Sequence, residues 1–393
     1  MISSKVATAL DNHSWIRTMF QEGKRLKMQF EEKEIFDFSI GNPALNPPKD
    51  FYDAMNQVIE SPVKGKHGYG DYQGIFEARQ KIAFYLQERF SVEFTPNHIV
   101  MTVGAAGAMN VVLKTILNEQ DEVIVLSPYF LEYEGYIQNF NGKIVPVSLN
   151  NDFSINFESI KQALSKTTKA IILNSPHNPT GIIHTQQELN ELGKLLDDYE
   201  HTFNQPIYVI YDTPYEQLIF DSVYSNPFSA YKHIIFIGSF SKELGISGER
   251  IGYIALSSDT PNKETLTSAL VYCNRILGFI HAPMLMQRII GEMVTLKIDP
   301  SPYKVRKDLI VSILRGAGFE FIDPQGGFFV FPKAPIEDDI EFCVEVAKKF
   351  KVLTVPGSQF GRRGYFRLSY SVPLEQIQNS KEVFHAIYKH FSN

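Results

Sequence analysis

Seven short apolar runs alternate with helix-like patterns between residues 98 and 256, and this alternation restricts the possible folds more than any other feature. The runs are HIVMTV, EVIVL, KIVPV, KAIILN, IYVIYD, IIFIGSF and IGYIAL. Short strands that are apolar throughout are typical of a parallel sheet covered by helices on both faces. The sequence therefore predicts an α/β fold built around a mostly parallel sheet that is flanked by helices.

The pattern changes after about Pro283. A helix is predicted through Tyr303–Arg315, and the strand-like runs GGFFVFP, VLTVPG and YFRLSY surround a second helix near Glu337–Phe350, before a closing helix. This order of elements is typical of a smaller α+β unit.

The N-terminal residues are predicted to join that smaller unit. A helix from about Trp15 to Phe30 precedes a short strand and a proline-rich turn in IFDFSIGNPALNPP. A chain of 393 residues is long enough for two domains. We predict a large domain over residues 48–285, and a small domain formed by residues 1–47 and 286–393.

Charge and cysteine content exclude several classes of protein. Lysine and arginine number 38 against 44 acidic residues, which gives a net charge of −6 and no indication of a nucleic-acid or membrane partner. The two cysteines, Cys273 and Cys343, are far apart and lack the spacing of a disulfide framework or a zinc site, so no metal is expected. No run resembles a signal peptide or a membrane span, and a soluble, cytoplasmic protein is predicted.

Chemically reactive residues follow the ends of several predicted strands. They are Gly104, Ser127–Pro128, Asn174, Asp212 and Ser239–Lys242. Ligands of parallel sheets bind beyond the carboxyl ends of the strands. These residues are therefore expected to face one crevice.

The stretch VGAAGAMN opens a helix directly after a strand, and its small residues let backbone N–H groups approach an anion. Gly104 and Gly107 are spaced GxxG, and the next strand ends in Ser127–Pro128 and not in an acid. The pattern fits a single phosphate better than a dinucleotide. The alternative is a tight turn without a ligand.

Three other strand ends each allow two interpretations. Lys242 in SFSKELGISGER is either a solvated loop residue or a placed nucleophile, and Asp212 in YDTPY either caps a turn or meets a cation. Asn178 in NSPHNPTG belongs to a rigid loop but has a side chain able to donate to a ligand. Ser239, Ser241 and Arg250 together are able to bind an anion.

The same stretches, in the same order, resemble the fold-type I pyridoxal-phosphate aminotransferases of class I/II, in the manner of aspartate aminotransferase. The matching pieces are GNPALNPP, HGYGDYQG, TVGAAGA, SPYFLEY, NSPHNPTG, YDTPY, SFSKELGISGERIGY, VPGSQFG and YFRLS. They extend over nearly the whole chain. The resemblance implies an aminotransferase-like fold and pyridoxal 5'-phosphate as the cofactor.

The resemblance also implies the catalytic roles. Lys242 matches the lysine that carries the cofactor covalently and moves the α-proton, a task that requires a lowered pKa. Asp212 matches the carboxylate that keeps the pyridine nitrogen protonated. Asn178 and Tyr215 match the donors to the phenolic oxygen of the cofactor.

The remaining matches surround the cofactor and the substrate. Phe130 matches the aromatic ring that stacks on the cofactor, and Tyr69 matches a tyrosine that reaches the phosphate of the neighbouring subunit, which implies a homodimer with shared active sites. Arg367 matches the arginine that binds the substrate α-carboxylate, with Gly41 and Asn42 on its other side. The residues that match the phosphate site are Gly104, Ala105, Ala106, Ser239, Ser241 and Arg250.

The implied function is the transfer of an amino group from an L-amino acid to a 2-oxo acid such as 2-oxoglutarate. Aspartate-specific members need a second cation, and the lysine that one subgroup has near Ala106 is missing here. A cation outside that loop would permit acidic donors, whereas its absence would favour neutral or aromatic ones. In the other subgroup an arginine of the neighbouring subunit takes this place, and the candidates for such a cation here are Arg17, Lys24, Arg25, Arg275 and Arg288.

Three alternatives share this fold. A β-elimination lyase or a cyclopropane-forming synthase would use the same cofactor residues. A ligand-sensing regulator would carry a DNA-binding module, and the stretch of about forty residues before GNP has no such pattern. An acyl-transferring synthase would have histidine at the stacking position and after the strand-end acid, where this chain has Phe130 and Thr213.

Overall fold

The structure is a computed structural model that describes residues 2–3, 6–7, 10, 14–31 and 34–392, without the side chains of residues 14–20 and 27. The strands are β1 (Phe36–Asp37), β2 (Ile99–Thr102), β3 (Glu122–Ser127), β4 (Lys143–Ser148), β5 (Thr168–Asn174), β6 (Tyr208–Thr213), β7 (Ile234–Ser239), β8 (Gly252–Ala255), β9 (Phe329–Val330), β10 (Val352–Leu353), β11 (Val355–Pro356) and β12 (Phe366–Ser369).

The α-helices of the described residues are interspersed with these strands along the chain. They are α1 (Ser14–Gln29), α2 (Lys49–Glu60), α3 (Phe76–Phe90), α4 (Gly104–Ile116), α5 (Glu132–Gln138), α6 (Phe157–Ala163), α7 (Gln186–Phe203), α8 (Lys263–Asn274), α9 (Met284–Glu292), α10 (Ser301–Ala317), α11 (Asp339–Phe350), α12 (Leu374–Asn379) and α13 (Lys381–Phe391). No helix of the described ranges is both long enough and apolar enough to cross a bilayer.

All seven predicted runs form one sheet with the strand order β2-β8-β7-β6-β5-β3-β4. The five neighbouring strands β7, β6, β5, β3 and β4 pair in parallel, whereas β8 pairs antiparallel with both β2 and β7. The predicted α/β class with a mostly parallel sheet is confirmed.

The strands are apolar throughout because both faces of the sheet are covered. In β5, Ile171 and Leu173 pack into one hydrophobic cluster, while Ala170 and Ile172 pack into the cluster on the opposite face. Successive side chains of a strand point to opposite faces, so a strand covered on both sides loses the apolar/polar alternation of a half-exposed one.

A smaller unit follows in the chain and has its own core. Strands β11, β12 and β9 form an antiparallel sheet, and α10, α11 and α13 contribute to a separate hydrophobic cluster. The N-terminal segment packs here: β1 pairs in parallel with β10, and Leu26 of α1 contacts a small cluster with Ala347 and Leu353. The smaller α+β unit is therefore confirmed, whereas the domain limits at residues 47 and 285 stay a prediction.

Candidate active site

One cavity of about 350 Å³ lies beyond the carboxyl ends of β5, β6 and β7 and beside the start of α4. The strand register brings the reactive ends together, since Asn174 of β5 pairs with Asp212 of β6, which pairs with Ile237 of β7. Twelve of the fifteen predicted site residues line this cavity. They are Gly41, Ala105, Ala106, Phe130, Asn178, Asp212, Tyr215, Ser239, Ser241, Lys242, Arg250 and Arg367.

Lys242 lies three residues after the end of β7, and its amine reaches into the cavity. Its Nζ donates a hydrogen bond of 2.7 Å to the carbonyl oxygen of Gly41. Burial, together with the positive charges of Arg250 and Arg367, lowers the pKa of Lys242 to about 8. The amine therefore loses its proton far more readily than an exposed lysine does.

Asp212 is a buried acid with one oxygen still unpaired. Its Oδ2 accepts a hydrogen bond of 2.5 Å from the Tyr133 hydroxyl, while Oδ1 has no partner among the described residues. Burial raises the pKa of Asp212 to about 6, an effect that the Tyr133 hydrogen bond opposes. A buried carboxylate oxygen without a donor is costly, so this atom is suited to a ligand that carries an N–H group.

The opposite end of the cavity is suited to an anion. Helix α4 begins at Gly104 and no side chain caps its first turn, which leaves the N–H groups near Ala105 and Ala106 available. The Ser239 hydroxyl donates to the Ser241 hydroxyl at 3.0 Å, and both serines are buried. Arg250 completes this end of the cavity.

Gly104 does not line the cavity, but its backbone lies close to Arg250. Its φ is +69°, and a Cβ added there would lie 2.9 Å from Nη2 of Arg250. Only glycine combines this backbone conformation with this close approach at little cost.

Arg367 is a buried arginine that keeps one donor free. Its Nη1 donates to Oδ1 of Asn178 at 3.1 Å and its Nη2 donates to the Ser39 carbonyl at 2.8 Å, whereas Nε has no partner among the described residues. The guanidinium carbon lies 4.4 Å from the ring centre of Phe329 and 4.8 Å from that of Phe360. Burial lowers the pKa of Arg367 to about 10, so it stays charged at neutral pH.

Two further predicted residues, Tyr215 and Asn178, line the same cavity. Burial raises the pKa of Tyr215, and the positive charge of Arg367 opposes that rise. The backbone N–H of Asn178 donates to Oδ1 of Asn174 at 2.7 Å, which fixes the loop. Because Oδ1 of Asn178 accepts from Arg367, its amide nitrogen is left to donate to a ligand.

Two other predicted residues lie outside the cavity wall. Tyr69 is 88% exposed, and its ring lies edge-on to that of His281 at 5.8 Å. Asn42 instead accepts two hydrogen bonds from nearby serines: its Oδ1 accepts from the Ser247 hydroxyl at 3.1 Å and its carbonyl oxygen accepts from the Ser371 hydroxyl.

Asn174, which was expected at the crevice, also lines the wall, but sequence reasoning missed Met109, Tyr133, Tyr136, Pro214 and Phe329. Tyr133 matters most because it is the partner of Asp212. It follows Phe130 by three residues within SPYFLEY, where its backbone N–H donates to the Phe130 carbonyl at 3.1 Å and the two rings lie edge-on at 5.6 Å. The three-residue separation of these two aromatic residues was the feature of the sequence that could have identified Tyr133.

No candidate for the second cation whose side chain the structure describes lines the cavity of its own chain, and a contribution to the neighbouring subunit stays a prediction. Arg25 binds Glu22, Arg275 stacks on aromatic rings, and the Nε of Arg288 donates to a backbone carbonyl. Lys24 is also absent from the wall, and the side chain of Arg17 lies outside the described residues. The cations that do line the wall are Lys242, Arg250 and Arg367.

Comparison with known proteins relates this geometry to a family. The family described as "Aminotransferase class I and II" matches residues 33–384. A protein named "Probable aspartate aminotransferase" from Methanocaldococcus jannaschii is 30% identical, over 89% of this chain and 94% of its own length. A "(5-formylfuran-3-yl)methyl phosphate transaminase" from the same organism is also 30% identical, over 91% of this chain and 92% of its own.

A solved structure agrees with these matches. The crystal structure of an aminotransferase from Eubacterium rectale superposes with a TM-score of 0.95 at 31% identity and covers 100% of both chains. The predicted aminotransferase-like fold and the predicted enzyme class are both confirmed. The chain is therefore a transaminase, and it belongs to the aminotransferase class I and II family.

Proposed function

We propose that this protein binds pyridoxal phosphate at Lys242 and transfers the amino group of an L-amino acid to a 2-oxo acid. One observation carries the proposal: a single cavity contains a lysine of lowered pKa, a buried carboxylate oxygen without a donor, an anion site, and an arginine with a free Nε. The family uses pyridoxal phosphate, so the question for this chain is whether its residues fit that group.

They fit at four points. The unpaired Oδ1 of Asp212 is suited to the protonated ring nitrogen, and the start of α4 with Ser239, Ser241 and Arg250 is suited to the phosphate. Phe130 offers an aromatic face to the ring. A reactive amine at Lys242 supplies the covalent attachment.

When bound, pyridoxal phosphate supplies an aldehyde that joins amino groups and a ring that accepts electrons. The other tasks fall to the chain. Arg367 binds the α-carboxylate and orients the substrate, since its planar fork suits bidentate contact. Asp212 holds a proton at the ring nitrogen, Tyr215 and Asn178 donate to the phenolic oxygen, and the Lys242 amine takes the α-proton from the substrate carbon.

The substrate side chain is a separate matter. Arg367 contacts the carboxylate that every amino acid has, so it does not select among donors. Relatives at 30% identity carry the names of both an aspartate aminotransferase and a transaminase for a furan phosphate, so identity alone does not choose a donor. We expect 2-oxoglutarate as an acceptor, with aspartate as the first donor to test against neutral and aromatic ones.

We also propose that the active protein is a cytoplasmic homodimer. Tyr69 supports the assembly because it is almost fully exposed in the single chain although it matches a residue of the active site. In a dimer it would contribute to the neighbouring site.

The test is chemical trapping. The purified protein, loaded with pyridoxal phosphate and reduced with borohydride, is expected to carry one adduct, at Lys242, by peptide mapping. Lys242→Ala is expected to bind the cofactor without a covalent bond and to transfer no amino group. An adduct at another lysine would overturn the assignment.

A panel of amino donors then tests the reaction. Conversion of the bound aldehyde to the pyridoxamine form is expected for at least one L-amino acid. Release of ammonia and a 2-oxo acid without pyridoxamine would contradict transamination and indicate the elimination lyase, an alternative that the names of the relatives do not favour.

A further inference from the structure

A pair of hydrogen bonds behind the cavity joins the loop that carries Tyr215 to the loop that carries Lys242. Gln217 follows Tyr215 by two residues, and Glu243 follows Lys242 directly. The backbone N–H of Gln217 donates to Oε1 of Glu243 at 2.8 Å, and the Gln217 side-chain amide donates to Oε2 at 3.1 Å. A single carboxyl group therefore holds the two loops together.

The same glutamine also binds a third segment. Its Nε2 donates to the carbonyl of Leu296 at 2.8 Å, and its Oε1 accepts from the N–H of Ile298 at 3.0 Å. These residues lie between α9 and α10, in the linker from the large sheet to the smaller unit. Ile298 packs against the cores of both. We call Gln217, Glu243, Leu296 and Ile298 the Gln217 clasp.

A second carboxyl group lies beside the clasp. Glu216 is buried, is paired with Arg89 and accepts a hydrogen bond from the Tyr85 hydroxyl. Burial raises the pKa of Glu243 well above its ordinary value, and the negative charge of Glu216 raises it further. Polar networks of this kind are costly unless every member is partnered, and when they are satisfied they hold one arrangement.

We propose that Gln217 and Glu243 are positioning residues, which hold the Lys242 amine in the cavity and tie its loop to the linker of the smaller unit. Neither side chain lines the cavity, so both act through their sequence neighbours. The inference rests on the proposed function, because it assigns the two residues to the task of Lys242. A displacement of about 1 Å at a reacting group is able to lower a rate by roughly 100-fold, so a clasp at this place has a clear use.

The environment of Lys242 gives a readout that needs no cofactor. The charged and titratable groups that line its cavity are Asp212, Tyr133, Tyr136, Tyr215, Arg250 and Arg367. Labelling of the cofactor-free protein with acetic anhydride over a range of pH, followed by peptide mass analysis, gives the titration midpoint of Lys242. In the wild type this midpoint is expected at about 8. An amine that leaves the cavity for solvent would shift toward its ordinary value of 10.5.

The variants are Glu243→Ala, Gln217→Ala and the double substitution. Each single variant is expected to raise the Lys242 midpoint and to lower kcat about tenfold or more with little change in KM. Because both residues act in one clasp, the double variant is expected to match the single ones. Asp50→Ala is the matched control, since Asp50 accepts from the N–H groups of Val294 and Thr295 in the same linker but touches neither loop. It is expected to lower thermal stability alone.

Two outcomes would overturn the proposal. In the first, the variants lose thermal stability while the Lys242 midpoint and kcat per loaded site stay as in the wild type. In the second, the effects of the two single variants on kcat add in the double variant. Should either alanine variant fail to fold, Glu243→Gln takes its place. This substitution keeps the size of the side chain and places an amide NH2 group opposite the NH2 group of Gln217, where a hydrogen-bond acceptor is needed. Failure of the wild type to bind pyridoxal phosphate would reject the proposed function, while labelling would still decide on the clasp.

Discussion

At the scale of single residues, the cavity contains buried polar atoms that have no hydrogen-bond partner in the part of the protein that the structure describes, which is unfavourable unless a ligand binds them. Asp212 keeps an unpaired carboxylate oxygen in a buried place, and Arg367 keeps an unpaired Nε. Buried polar atoms without partners destabilise a folded chain. These two residues thus identify the places where ligand groups are expected, and they lead to separate predictions.

Asp212→Asn is expected to stabilise the cofactor-free protein while it abolishes most of the activity. Burial raises the pKa of Asp212 from 3.8 to about 6, so at neutral pH the folded state contains a carboxylate that would be better solvated in the unfolded state. A shift of this size corresponds to about 3 kcal/mol as an upper limit. Urea unfolding at neutral pH is expected to show a higher midpoint for Asp212→Asn.

The pH dependence of this stability difference tests whether burial of the Asp212 carboxylate is its cause. The penalty exists above the folded pKa and is lost as the pH falls from about 6 to below about 4, where both states are protonated. The two proteins are therefore expected to differ less in acid than at neutral pH. In the loaded enzyme the same variant is expected to lose roughly 100-fold or more in rate, because the ring nitrogen loses its charged partner. Equal stability at neutral pH, or near-normal activity, would contradict this account.

Arg367→Lys is expected to weaken every amino donor and every oxo-acid acceptor together. A lysine keeps the charge but loses the bidentate fork, and charge-assisted hydrogen bonds contribute about 1.5–3 kcal/mol. Steady-state kinetics are expected to show KM values raised roughly 10-fold or more for all substrates. The absorbance of the bound cofactor serves as the control and is expected to be unchanged. A loss confined to one donor would instead assign Arg367 to side-chain selection.

At the scale of elements, the sequence predicts strands well and their direction less well. The run KAIILN appears as β5 and IYVIYD as β6, because strands covered on both faces are apolar throughout. Strand β8 runs antiparallel to its neighbours, and its sequence does not reveal this, since burial on both faces has the same apolar pattern in either direction. Tyr133 was missed although it lies within SPYFLEY, because its partner Asp212 is 79 residues away in the chain.

The start of α4 allows a test at this scale. Gly104→Ala is expected to lower the affinity for pyridoxal phosphate about tenfold or more, because a Cβ at φ +69° is strained and would displace Arg250. Fluorescence titration of the cofactor-free protein measures this affinity. Gly135→Ala in α5 is the matched control, since a Cβ there meets no atom within 4 Å. It is expected to leave the affinity unchanged and to raise stability by up to about 1 kcal/mol.

At the scale of the whole molecule, the site draws on distant parts of the chain. Gly41 comes from the N-terminal segment, Lys242 from the large sheet and Arg367 from β12 of the smaller unit. Motif order predicted this convergence, whereas the domain limits rest on a change of pattern after about Pro283 and stay a prediction. Tyr69, which is predicted to belong to an active site, is 88% exposed in the single chain.

Hybrid dimers test whether Tyr69 acts in the neighbouring site. We expect Lys242→Ala and Tyr69→Ala to be inactive or strongly impaired as homodimers, each for lack of one group in both sites. In a hybrid of the two, one site would combine the native Lys242 of one subunit with the native Tyr69 of the other. Equal mixing after mild unfolding and refolding should yield about half hybrids with one complete site each, so about a quarter of the wild-type activity is expected to return. A mixture that stays as inactive as its components, although mass analysis detects hybrids, would contradict a shared site and place the task of Tyr69 within its own subunit.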